Sequence, residues 1–194
     1  MADALIEQSP VPLGSVGRFL GAGIYAIYYA GDFDLYSKLG CWNRGEEGLK
    51  VPIYVGKAVP SGGRKGNVDS EVSANGTALF SRLDEHRKSI EQVTNLEIND
   101  FWCRYLVVDD IWIPLGESLL IQRHRPIWNS LIDGFGNHDP GAGRHRGARP
   151  SWDTLHPGRN WADKCASSKL TLEQLHSQIM DYWAIYEREY RRNL

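Results

Sequence analysis

Three runs of β-branched and aromatic residues constrain this chain more than any other feature. Gly23-Ile24-Tyr25-Ala26-Ile27-Tyr28-Tyr29 reads as a strand closed by Gly31. Val51-Pro52-Ile53-Tyr54-Val55-Gly56 reads as a second, with Pro52 near its start, where a sheet edge or the beginning of a strand tolerates proline. Phe101-Trp102-Cys103-Arg104-Tyr105-Leu106-Val107-Val108 is a third, stopped by Asp109-Asp110. Three segments carry helical patterns. Ala78 to about Val93 places Leu79, Leu83 and Ile90 on one face, with Thr77 as a candidate N-cap. Leu115 to about His124 ends before Pro126, as proline requires. Leu172, Leu175, Ile179, Trp183, Tyr186 and Tyr190 form a stripe suited to core or dimer packing, and Thr171 with Gln174 matches a capping box. Residues 30–50 and 58–77 are insertions too long for tight turns. Residues 150–170 read as an irregular extension without chemistry.

Charge narrows the function classes. Lys+Arg number 22 and Asp+Glu 24, a net charge of −2, which excludes a uniformly basic coat. The distribution is uneven: residues 93–120 carry one basic and five acidic side chains, whereas 121–164 carry seven and four, with four of the six histidines. Inside the basic region, residues 134–150 hold five glycines, two prolines and Arg144, Arg146 and Arg149. Such a stretch is a long loop, and it suits either a polyanion groove or a solvated surface. Cys41, Cys103 and Cys165 form no CxxC pair, so neither a disulfide framework nor a zinc site is encoded. No apolar run is long enough to span a membrane, no secretory signal is evident, and a reducing cytoplasm is the simplest setting.

The order of the polar residues carries the functional signal. Gly23-Ile24-Tyr25 lies on the first strand and Tyr54-Val55-Gly56-Lys57 on the second; Arg82 and His86 lie on the first helix, Glu117 on the next, and Asn129 after Pro126. Each has an ordinary structural explanation alone: core tyrosines, solvated helix residues, a glutamate favoured near a helix start. Taken jointly and in this order, over roughly residues 21–130, they resemble the GIY-YIG nuclease family, with Val55 in place of the usual Ile. The spacings exceed those of the compact repair and intron-encoded members. The Arg82/His86 pair and the absence of a large partner domain look like the type II restriction endonuclease branch, and within it the enzymes that cut GC-rich palindromes such as CCGCGG.

That resemblance implies an α+β fold: a small central antiparallel or mixed sheet flanked by helices, with long loop insertions and a C-terminal helix. It implies an N-terminal extension over 1–20, a nuclease core over 21–130, and a DNA-contacting and helical extension over 131–194 belonging to the same domain. It implies catalytic roles for Tyr25, Tyr54, Lys57, Arg82, His86, Glu117 and Asn129. Four residues separate Arg82 from His86, so one helical face can offer both to one phosphate. The resemblance makes Glu117 the expected metal ligand, a hard oxygen suited to one Mg²⁺ that keeps several waters, with Mn²⁺ as a substitute; no organic cofactor is implied. The water-activating base is Tyr25 with its pKa depressed by Arg82 and the metal, His86 receiving the proton, or else His86 itself with Tyr25 orienting. Asn129 is either a support for the tyrosine strand or a turn residue. The expected substrate is double-stranded DNA and the expected assembly a homodimer, formed partly through the insertions or the C-terminal aromatic helix, because a palindrome matches two-fold symmetry. Guanine readers are expected among Arg144, Arg146, Arg149, Arg64 and Lys65, and phosphate contacts at Arg123 and Arg125. A structure-selective repair or recombination nuclease, or a non-catalytic DNA-binding domain, are the alternatives. The setting is a bacterial cytoplasm with a restriction–modification system.

Overall fold

The computed structural model describes residues 2–46, 48–60, 76–139, 141 and 145–189. Its centre is a four-stranded antiparallel sheet in the order β1-β4-β2-β3, formed by β1 (Val11–Pro12), β2 (Gly23–Tyr29), β3 (Pro52–Ala58) and β4 (Phe101–Val107). Three strands fall where the sequence places them, within two residues at each end. The two-residue β1 has too little pattern to be seen in sequence, and it pairs Val11 with Cys103.

Every residue of β2 is buried, because both faces of this central strand are covered. Alternation sends Tyr25, Ile27 and Tyr29 to one face, where they meet Leu79, Leu83 and Ile90 of α3 (Ala78–Gln92). Ile24, Ala26 and Tyr28 go to the other face, against Leu5 of α1 (Ala2–Ile6) and Ile113 and Leu120 of α4 (Ile113–His124). Each helix covers one face, so the fold is α+β with seven α-helices among the described residues.

Strand β3 is the other edge of the sheet, opposite β1, and Pro52 begins it, as the proline requires. Its pairing with β2 shifts by one residue: Ile27 faces Tyr54 and Tyr28 faces Pro52, leaving Ile53 unpaired. The bulge puts neighbours Ile53 and Tyr54 against the same core cluster, where strict alternation would separate them. The insertion over 30–50 is ordered around α2 (Ser37–Arg44). Buried Asn43 donates from Nδ2 to the carbonyls of Tyr29 and Val51 and accepts the Val51 N–H, closing the connection between β2 and β3.

Several expectations need correction. Thr77 does not cap α3: its backbone is at φ −99°, ψ 29°, outside the extended N-cap conformation, and its hydroxyl lies 3.3 Å from Ser81 Oγ. Helix α4 starts two residues early, at Ile113, with Pro114 in its first turn; Glu117 is in the second turn, where the dipole does little for a carboxylate. Residues 150–170 are not an irregular appendage. They contain α6 (Ser151–Leu155) and a 3₁₀ turn at Ala162–Lys164, and they bury Trp152, Asp153, His156 and Arg159. The capping box forms as expected: the Thr171 N–H donates to Gln174 Oε1 at 2.9 Å, and the Gln174 N–H donates to Thr171 Oγ1 at 3.2 Å. The helix it opens, α7 (Leu172–Glu189), turns Leu175, Ile179, Trp183 and Tyr186 into the chain's own core. That face is therefore occupied and does not present an aromatic surface to a second copy. A short helix, α5 (Ile127–Ser130), follows α4 and packs on β3.

Candidate active site

Tyr25 sits at the middle of β2, opposite Gly56 on β3 and Tyr105 on β4. Its ring is wholly buried, and its hydroxyl lies 2.6 Å from His86 Nε2 on α3. A Cβ at position 56 would come within 2.3 Å of the Tyr25 hydroxyl, so the glycine after Val55 is a spatial requirement of this pair. Burial pushes the Tyr25 phenol well above its ordinary pKa, the Tyr54 charge adds to this, and Arg82 only partly opposes it. Burial likewise holds His86 well below the usual imidazole range, assisted by the charges of Arg82 and His138. Both partners are therefore neutral near pH 7, and with the imidazole proton on Nδ1 the Tyr25 O–H donates to Nε2. The expectation that Arg82 depresses the tyrosine is corrected for this state of the protein: desolvation outweighs the guanidinium.

Tyr54 is on the same sheet face, its ring centroid 6.3 Å from that of Tyr25 and 5.2 Å from that of His86. Burial raises its phenol too, against Arg82. Arg82, one turn before His86, donates from Nη2 to the Gly136 carbonyl at 2.9 Å and from Nη1 to Glu85 Oε2 at 3.0 Å. The same Nη1 lies 2.5 Å from His138 Nε2. Phe135 covers the cluster: its ring stacks on His86 at 4.5 Å and 16° and meets Tyr54 edge-on at 5.0 Å. Phe135, Gly136 and His138 belong to the loop that the sequence marks for DNA contact, yet none is singled out by residue type. Only the fold brings them to the tyrosines.

Lys57 pairs with Ile24 in register and so lies on the opposite sheet face, toward α4. Its Nζ is 2.7 Å from Glu117 Oε2. The Glu117 charge raises both tyrosine pKa values, so the two faces meet electrostatically at this end of the sheet. Asn129, the third residue of α5, reads one residue of β3 from both sides: Oδ1 accepts the Val55 N–H at 2.8 Å, and Nδ2 donates to the Val55 carbonyl at 2.8 Å. That residue lies between Tyr54 and Gly56. The side chain thus fixes the strand that carries them.

No group of three or more His, Cys, Asp or Glu side chains suited to a metal exists among the described residues. The carboxylate of Glu117, 19% exposed, is a hard donor with one cationic neighbour. A single carboxylate suits Mg²⁺, which retains waters and takes its remaining ligands from substrate phosphate. It would not suit Ca²⁺ or Zn²⁺ held by protein alone.

The arginines expected to touch DNA are placed unevenly. Arg123 is ion-paired with Asp3 at 2.6 Å, fastening α4 to α1. Arg125 ends α4 in a left-handed conformation, φ 41°, and its carbonyl accepts the Tyr182 hydroxyl. Arg149 donates to the Ala162 carbonyl and pairs with Asp163 at 3.2 Å, tying the loop to the following turn. Arg146 is exposed. Arg64, Lys65 and Arg144 lie outside the described residues. The sequence reading missed Asp153 and Arg159, whose apolar surroundings give no polar pattern to follow.

An antiparallel sheet with a tyrosine on each of two neighbouring strands, a helix giving Arg and His one turn apart, a glutamate from the next helix and an asparagine bracing the second strand defines a GIY-YIG nuclease core. Comparison with family models agrees: the Eco29kI GIY-YIG domain, a family of type II restriction endonucleases, matches residues 17–183, and the chain belongs to it. A comparison with curated proteins finds none that matches. No helix among the described residues is long and apolar enough to cross a membrane.

Proposed function

We propose that this chain is a type II restriction endonuclease that hydrolyses both strands of double-stranded DNA at a GC-rich palindrome, working as a homodimer in the bacterial cytoplasm. The observation that carries the reading is the 2.6 Å contact between two neutral, buried groups, Tyr25 Oη and His86 Nε2, beside an arginine that can meet a phosphate. A neutral imidazole can accept a proton, and the tyrosine between it and the substrate can pass one on.

In the proposed reaction a water attacks the scissile phosphorus. Its proton goes to Tyr25 Oη as the Tyr25 proton moves to His86 Nε2, so the tyrosine never stands as a free phenolate in a dry site. This joins the two assignments of the base: the imidazole receives the proton, and the phenol hands it over. Arg82 turns from the Gly136 carbonyl toward the phosphoryl oxygens and stabilises the charge that builds there. Tyr54 and Lys57 position the water and the phosphate. The P–O3′ bond breaks, and the 3′ oxygen is protonated by solvent, leaving a 5′ phosphate. Glu117 would hold Mg²⁺, or Mn²⁺ in its place, and the bound ion would supply charge neutralisation for the departing oxygen. Asn129 keeps β3 in register. Arg146, Arg149, Arg64, Lys65 and Arg144 remain the proposed base readers, with Arg123 and Arg125 at the backbone.

Plasmid DNA incubated with Mg²⁺ is expected to give discrete fragments whose sequenced ends share one palindrome. Tyr25→Phe and Glu117→Gln are expected to abolish turnover while leaving binding to that site intact. A smear of random ends favours a structure-selective nuclease instead. Near-normal cleavage by Tyr25→Phe eliminates the relay.

A further inference from the structure

We infer that the buried Asp153–Arg159 pair is a positioning device for the catalytic cluster, acting through residues 134–138; the inference rests on the nuclease reading. Arg159 is 2% exposed and has five N–H donors, each with an acceptor. Nε and Nη2 reach the two Asp153 carboxylate oxygens at 2.6 Å each. Nη2 also donates to the Gly134 carbonyl at 2.9 Å, and Nη1 donates to the carbonyls of Phe135 and Asn137 at 3.1 and 3.0 Å. The guanidinium lies between the rings of Trp152 and Trp161, 4.5 and 4.9 Å from their centroids.

Stability alone gives little reason for such a group. A buried ion pair loses so much hydration that apolar residues of similar volume often do as well or better. What apolar residues cannot do is hold three carbonyls of one loop in fixed directions. Those carbonyls belong to residues 134, 135 and 137; the intervening carbonyl, of Gly136, is the one that receives Arg82. Without DNA two arginines thus hold the loop, Arg82 from within the site and Arg159 from the other side; once Arg82 turns to the phosphate, Arg159 holds it alone. The loop in turn lays Phe135 flat on His86 and His138 against Arg82. Rotation of His86 would break the short contact to Tyr25, and Phe135 closes that route. Lysine cannot replace Arg159, because an ammonium has three donors and no planar fork to match a carboxylate and three carbonyls together.

The test compares wild type with Arg159→Lys and with Phe135→Leu, which keeps Arg159 but removes its last link to His86. Each is measured for thermal unfolding, for binding to cognate duplex without divalent metal, for kcat at saturating DNA with Mg²⁺, and for the proton NMR signal shared by Tyr25 Oη and His86 Nε2. In both variants kcat is expected to fall about a hundredfold, the loss that a misplacement near one ångström produces. Binding is expected to be unchanged, and the shared-proton signal to shift or broaden. Either folded variant with wild-type kcat and an unchanged signal overturns the inference. So does a loss of kcat that only tracks the unfolded fraction. Phe135→Leu decides the matter if Arg159→Lys does not fold. If the wild type cuts no DNA, the nuclease reading falls, while the NMR signal still reports whether the pair positions His86.

Discussion

His124 makes the stability of this protein sensitive to acid in a way that one substitution can isolate. It is the last residue of α4, 3% exposed, and neither ring nitrogen has a hydrogen-bond partner among the described residues. Burial brings its pKa down to about 4, and the charge of Arg123 adds to that effect. In the unfolded chain the ring titrates near 6.5. The stabilisation associated with the neutral ring is therefore complete above about pH 6.5 and is lost as the pH falls through the folded value, because the unfolded state binds the proton first. A gap of roughly 2.5 pH units corresponds to about 3 kcal/mol in full, of which about 2 kcal/mol is lost between pH 7 and pH 5. That is a large part of a typical stability of about 5–15 kcal/mol. His124→Leu removes the proton linkage together with two desolvated nitrogens. Urea unfolding followed by tryptophan fluorescence is expected to show the variant at least as stable as wild type at pH 7. Its advantage should grow by about 2 kcal/mol at pH 5. His86 and His156 are also held low, the latter to about 3, so the variant keeps part of the acid sensitivity. A difference between the two proteins that does not change with pH would refute the reasoning, since the folded state would then protonate at no cost.

Two further substitutions follow from the geometry around β3. Asn129→Ala leaves the Val55 N–H and carbonyl without their partners, and chemical denaturation is expected to show a loss of about 2 kcal/mol. Gly56→Ala places a methyl within 2.3 Å of the Tyr25 hydroxyl; about 1–3 kcal/mol of stability is expected to go, together with cleavage of the cognate site, as the phenol leaves His86.

The parts legible in the sequence are those governed by short-range periodicity. Strand β2 shows its run of aromatic and branched residues, α3 shows the spacing of Leu79, Leu83 and Ile90, and α7 shows both its stripe and its capping box. The candidate site residues can be picked out because their types and order along the chain resemble the family's pattern. Their relations cannot. Whether Arg82 or burial governs the Tyr25 pKa depends on how much water reaches the ring, and that is set by tertiary packing: Tyr25 meets Tyr54 and His86, and both of these meet Phe135, a residue 110 positions later. The bulge at Ile53 has no local signature, yet it turns Ile53 to the face that Tyr54 shares with Tyr25. Residues 150–170 read as featureless because two of their charges, Asp153 and Arg159, are sequestered among tryptophans rather than displayed on a periodic face. The start of α4 is not legible because Ile111 to Pro114 offers no capping residue at the boundary.

The grip of Asn129 on β3 has a consequence beyond catalysis. A sheet edge is a template on which a second chain can add a strand, and an edge made of Ile, Tyr and Val is a hazard for aggregation. Here Pro52 removes one donor, the Ile53 bulge breaks the flat spacing, and the Asn129 amide occupies the next outward N–H and carbonyl as an additional strand would. Charged Lys57 stands near the far end. The strand that carries Tyr54 is thereby kept from presenting its backbone to another protein, and loss of Asn129 is expected to lower solubility as well as stability.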